Sequence, residues 1–180
     1  MSNKANKIKD LCESVFDKAA VIRADKLIFR DDVREMCKSG RCGSYGNNWG
    51  CPPGCGSVSE CRERAGKYDK AIVVQTIGTL EDSFDFEGMG KAAIEHCQRM
   101  THMREKIEAE ISDVLSLGAG PCKVCGECAC PDEPCRFPEK RFSSMEAYGL
   151  MVSEVCSDSG LKYINGENTV TYTGCFLIKD

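Results

Sequence analysis

Cys122-Lys-Val-Cys125-Gly-Glu-Cys128-Ala-Cys130-Pro-Asp-Glu-Pro-Cys135 carries five cysteines in fourteen residues. Cysteine packs readily as a small buried hydrophobe. Prolines, charges and a glycine separate these five, however, so no apolar face forms. The spacing Cys122-x2-Cys125-x2-Cys128 instead gathers three thiols on one tight loop. Three thiolates from a loop and a fourth from elsewhere commonly hold a cubane 4Fe–4S cluster, and the bacterial ferredoxin run ends in Cys-Pro three residues on. Here Cys130-Pro131 follows Cys128 after one residue, and Cys135, itself preceded by a proline, is the other candidate fourth ligand.

Upstream lies a second group, Cys37, Cys42, Cys51, Cys55 and Cys61, interleaved with Gly40, Gly43, Gly46, Gly50, Gly54 and Gly56. Glycines let the backbone approach a ligand closely. Around a cluster that approach turns amide N–H groups toward sulfur, which helps set its potential. Tyr45 and Trp49 are placed to shield such a site from water. Ser57-Val-Ser-Glu60 fits a capping box, so a helix is expected from Ser57 to about Ala65, with Cys61 near its start.

The chain has 180 residues, a net charge of −4 and fourteen cysteines. Its length suits one domain, 1–180, with the cysteine-rich segments 37–61 and 122–135 inserted in it. No basic patch of the kind nucleic-acid binding needs is present. The first ten residues are charged and lack an apolar signal core. No apolar run approaches the roughly 20 residues that cross a bilayer. The expectation is a cytoplasmic, soluble protein, in which so many thiols point to metal or redox chemistry and not to disulfides.

Hydrophobic periodicity predicts a helix over 4–18, a strand over 19–24 and a possible short strand over 26–29. A short helix capped by Asp31 or Asp32 should follow, then a buried strand over 70–77 and a long helix over 86–115. Cys97 falls in the apolar stripe of that helix and reads as core; His96 and His102 read as solvated. Ser143-Ser-Met-Glu146 fits a second capping box, predicting a helix through Cys156. Asn165-Gly166 predicts a hairpin between strands at 161–164 and 169–178. The fold expected is α+β, a small mainly antiparallel sheet packed with helices and both sulfur loops at one end; α/β is the alternative.

Cys37-x4-Cys42 with Tyr45-Gly46 and Trp49-x-Cys51-Pro-Pro, followed by Gly120-Pro-Cys122-x2-Cys125-x2-Cys128, Pro134-Cys135-Arg136-x-Pro138 and Ser144-Met-Glu-Ala147, forms a specific pattern. It resembles a family of small cysteine-rich proteins described as predicted metal-binding proteins of unknown function, from anaerobic bacteria and archaea. The resemblance spans most of the chain and implies metal binding, without an established reaction. In the family pattern Cys55 and Cys130 are the less regular positions. The resemblance therefore favours Cys37, Cys42, Cys51 and Cys61 at one site and Cys122, Cys125, Cys128 and Cys135 at the other.

Structural zinc sites usually pair two short Cys-x2-Cys hooks or use histidine. One loop with three close thiols, in a chain with two histidines, favours iron–sulfur over zinc. The leading expectation is two 4Fe–4S clusters passing electrons to a partner redox enzyme. Two alternatives are a zinc-held interaction module and an enzyme with a substrate-binding cluster. Asp132 and Glu133, if close to the second cluster, should lower its potential.

Overall fold

The computed structural model describes residues 3–180. Its centre is β5 (Thr169–Ile178), which pairs antiparallel on one side with β2 (Lys70–Thr79) and on the other with β3 (Val114–Gly118). β1 (Lys18–Arg23) extends the sheet antiparallel beyond β2, and the two-residue β4 (Ser143–Ser144) lies parallel to β3 at the opposite edge. The order is therefore β1-β2-β5-β3-β4. The fold is α+β with a mostly antiparallel sheet, as expected, and not the doubly wound parallel alternative.

The strands' period of two sorts side chains to opposite faces. One face carries Ile72, Val74, Phe176 and Ile178, against α1 (Asn3–Glu13) and α4 (Phe86–Glu110). The other carries Ala71, Val73, Cys175 and Leu177, against α3 (Val58–Ala65) and α5 (Val152–Ser159). Ile72, Val73, Phe176 and Leu177 are wholly buried, so β2 and β5 form the floor of both cores. α2 (Asp31–Cys37) leads directly into the first sulfur segment, and β3 leads into the second.

Several boundaries differ from the sequence expectation. α1 stops at Glu13; Phe16 leaves the helix yet stays in its core, edge-on to Phe176 and His96. Ala24–Lys26 forms a 3-10 turn, and Phe29 makes only an isolated bridge to Leu150. α4 ends at Glu110, because Ile111 is extended and 114–118 joins the sheet. Val114 fitted the helical stripe by coincidence of spacing; it pairs with Ile178, and Leu115 with Leu177, instead. His96 is not solvated: it is 1% exposed, packed against Phe16 and Tyr172.

The second capping box is not a helix start. Ser143 and Ser144 belong to β4, and the Ser144 hydroxyl accepts from the Ala147 N–H at 3.0 Å, closing a 3-10 turn over Glu146–Tyr148. Gly149 then turns back with φ +83°, so close to the Arg30 carbonyl that a Cβ would collide with it. Only after that reversal does α5 begin. Residues 161–164 form no strand either, and Asn165 instead braces the approach to β5, donating to the Thr171 hydroxyl at 3.0 Å.

Candidate metal centre

The first capping box does form: the Ser57 hydroxyl accepts from the Glu60 N–H at 3.2 Å, and the Glu60 carboxylate accepts from the Ser57 N–H at 2.6 Å. This fixes the start of α3 and with it Cys61, which is fully buried. Cys55, 2% exposed, sits against it. Arg64 Nη2 donates to Cys61 Sγ at 3.2 Å, and Arg34 Nη1 approaches the same sulfur at 4.0 Å. The hydrogen bond from Cys55, helped by the two guanidiniums, draws the Cys61 thiol down to about 7 and pushes its partner's up. Of this pair, Cys61 is the thiol whose ionisation the surrounding groups favour.

Cys37, Cys42 and Cys51 form the next group along the same segment. Cys37 is half-buried, Cys42 exposed and Cys51 buried. Burial pushes the Cys51 thiol up to about 12, and Cys42, Cys37, Cys122 and Cys128 add to that through their negative charge. Cys51 is thus within electrostatic reach of both sulfur groups. Burial, then Cys42 and Glu146, raises Cys37; the Glu146 carboxyl is itself raised by burial.

The second loop closes on the first through backbone contacts. Asn48, 8% exposed, donates from Nδ2 to the Cys122 carbonyl at 2.9 Å and accepts from the Gly50 N–H at 2.9 Å. The Trp49 N–H points at Cys128 Sγ at 3.5 Å, and the Trp49 indole N–H donates to the Glu133 carbonyl at 2.9 Å. Cys130 Sγ donates to the Gly46 carbonyl at 3.5 Å. Gly50 sits so tightly between the loops that a Cβ would run into the Phe142 carbonyl and lie 2.9 Å from Cys122 Cβ.

Cys122, Cys125, Cys128 and Cys135 share one cavity, walled by Trp49 and Gly50 and by Val124 and Phe137. The room between them is narrow, about 10 Å³. Filling it with a cofactor means spreading the loop, which its glycines and lack of regular structure allow. Among the described residues no three His, Cys, Asp or Glu side chains converge on a single-ion site. All fourteen cysteines are free thiols.

The ten expected site cysteines lie in two adjoining segments, Cys37 at the end of α2, Cys61 in α3 and the rest on loops, and the structure sorts them. Cys122, Cys125, Cys128 and Cys135 line one cavity, with Cys130 beside it; Cys37, Cys42 and Cys51 neighbour one another; Cys55 and Cys61 are set apart with two arginines. Cys12, Cys156 and Cys175 are buried in the cores, but Cys97, expected there, is half-buried on α4 near Cys122 and Lys123. Arg34, Arg64 and Asn48 went unnoticed in the sequence, and Glu146 was read there only as part of a capping box. Only Asn48 had a signal, lying inside the glycine-rich run Gly46-Asn-Asn-Trp49-Gly50.

The structure is thus an α+β scaffold presenting two neighbouring thiol-rich segments. The chain belongs to the family described as "Predicted metal-binding protein (DUF2284)", which matches residues 20–178. No curated protein matches it. A solved structure of epoxyqueuosine reductase from Bacillus subtilis is similar at 8% identity and a TM-score of 0.45, over 97% of this chain and 45% of that one. The chain thus spans less than half the length of that enzyme. Among the described residues, no helix is long and apolar enough to cross a membrane.

Proposed function

We propose that the protein binds two iron–sulfur clusters of the 4Fe–4S type and passes electrons to a partner redox enzyme. The second would be held by Cys122, Cys125, Cys128 and Cys135. The first would take Cys37, Cys42 and Cys51, with the Cys55–Cys61 pair supplying the fourth thiolate through Cys61. When bound, each cluster would accept and release one electron at a time.

The observation that carries this reading is the single cavity lined by Cys122, Cys125, Cys128 and Cys135, with the Trp49 N–H directed at Cys128 Sγ. Amide donors to sulfur raise a cluster's potential by stabilising added negative charge. Asp132 and Glu133, exposed on the same loop, act in the opposite direction. Zinc would need its thiolates about 2.3 Å from one point. A cubane binds each thiolate through a different iron and so does not require the sulfurs to meet at one point, which among the described residues they do not. The high thiol pKa of Cys51 fits a ligand that gives up its proton only when metal arrives.

The test is anaerobic purification followed by iron, zinc and acid-labile sulfide analysis and electron paramagnetic resonance of the dithionite-reduced protein. Roughly eight irons and eight sulfides per chain are expected for two cubanes, with an absorbance band near about 400 nm that bleaches on reduction. A colourless protein carrying zinc, or one carrying no metal after aerobic exposure is excluded, overturns the reading.

A further inference from the structure

Beside the second sulfur cavity lies a larger cleft of about 580 Å³, between the outer side of α4 and the loop that follows β3. Its size falls within the roughly 300–1,000 Å³ of small-molecule sites. Val124 lines both spaces, so one side chain separates the cleft from the thiol-lined cavity. The walls are apolar at Met100, Val124 and Phe142.

Two polar groups there have no partner among the described residues. Ser116 is 9% exposed, lines the cleft from β3, and its hydroxyl has no hydrogen-bond partner. An unpaired buried hydroxyl is costly, and a strand position between Leu115 and Leu117 would accept an apolar residue. Lys123 is the other: exposed at the mouth of the cleft near Cys97, it is in none of the ion pairs among the described residues. The remaining cations are engaged. Arg104 pairs with Glu108 at 2.7 Å and donates to the Glu139 carbonyl at 2.6 Å, and Lys140 lies over the Phe137 ring at 6.0 Å. Glu105 and Glu139 are exposed at the rim, where water screens them.

We propose that this cleft binds a small organic carboxylate with an apolar body, its carboxylate at Lys123, its body between Met100, Val124 and Phe142, and a polar atom on the Ser116 hydroxyl. Any redox use of that ligand rests on the cluster reading above, because the ligand would lie across Val124 from the second cavity. The binding itself does not depend on it.

The test is calorimetric titration of the anaerobically purified full chain with benzoate and 2-naphthoate, with benzamide and benzylamine as neutral and cationic controls. Saturable carboxylate binding is expected, at least ten-fold tighter than either control. Lys123→Gln should remove that preference. Ser116→Ala should weaken carboxylate binding several-fold while raising the melting temperature, because an unpaired buried hydroxyl is removed; a purely structural serine would leave binding untouched. No saturable carboxylate binding, equal binding of the controls, or unchanged binding in both variants overturns the proposal. Iron and sulfide content measured on the same samples separates the two readings. Binding by iron-free protein breaks the cluster assignment alone, and iron-loaded protein that binds no carboxylate breaks the cleft assignment alone.

Discussion

The two sulfur segments solve the same problem in opposite ways. In the second, four cysteines within fourteen residues line one cavity, half-buried, on a loop with no regular structure from 119 to 142. In the first, five cysteines are spread over 25 residues, and Cys51, Cys55 and Cys61 are buried, Cys55 against the Ala147 carbonyl and Cys61 within α3. The close-spaced loop gathers Cys122, Cys125 and Cys128 by chain connectivity and takes one wall, Trp49 and Gly50, from the first segment. The spread segment needs a scaffold: a capped helix, two arginines, and a glycine with no room for a side chain. Local sequence is thus enough to bring the thiols of one group near one another, whereas the other group meets only when the domain is folded, and both depend on the contacts of Asn48 and Trp49 across the two segments.

That contrast is broken most directly at Cys51, which feels the charge of both thiol groups. On the proposed two-cluster reading, Cys51→Ser should lower iron content by more than half, whereas Cys125→Ser should remove only the second cluster, roughly four of eight irons. Metal analysis and spin quantitation check this; equal losses in the two variants would make the two groups equivalent.

Reading such losses requires a measure of the scaffold by itself, and His96 supplies one away from both loops. Burial pushes its pKa down to about 4. The unfolded chain therefore takes up this proton more readily than the native one, from about pH 6.5 downward. Stability from this group is fully present above that pH and lost as the pH falls toward about 4, by about 3 kcal/mol in all. Denaturant melts across this range should show the loss in wild type and a much flatter profile in His96→Gln.

Gly50 sharpens the comparison where the segments touch. Gly50→Ala places a methyl against the Phe142 carbonyl and Cys122 Cβ. Overpacking of this kind costs about 1–3 kcal/mol, and here it should also loosen the second site. Faster chelator-driven iron release from the second cluster than from the first is the expected signature. The smallest effect belongs to the scaffold of the first segment. Ser57→Ala removes the cap that sets the start of α3, at about 1 kcal/mol. Chemical denaturation should detect this cost, and the second cluster should be unaffected.

Elements were legible where one local signal acted without competition. The Ser57 box, the apolar run of β2 and the α+β class all stand in the structure. The Ser143–Glu146 box failed because Ser143 and Ser144 had a strand to join, and ladder pairing outweighs one cap. β3 was hidden because Ile107, Ile111 and Val114 continue a helical spacing through the point where the chain turns extended. His96 was misplaced because nothing local announces that Phe16 and Tyr172, far away in the chain, will enclose it.

By itself the sequence determined that thiols would be concentrated at two places, and that Cys122, Cys125 and Cys128 would share a loop, since ligand spacing within a few residues is fixed by covalent geometry. Only the tertiary structure decided that the two places meet through Asn48 and Trp49, that Cys61 stands between Arg34 and Arg64, and that a cleft opens across Val124. These depend on which face of the sheet each element covers. Packing between residues distant in the chain sets that, and no short stretch of residues encodes it.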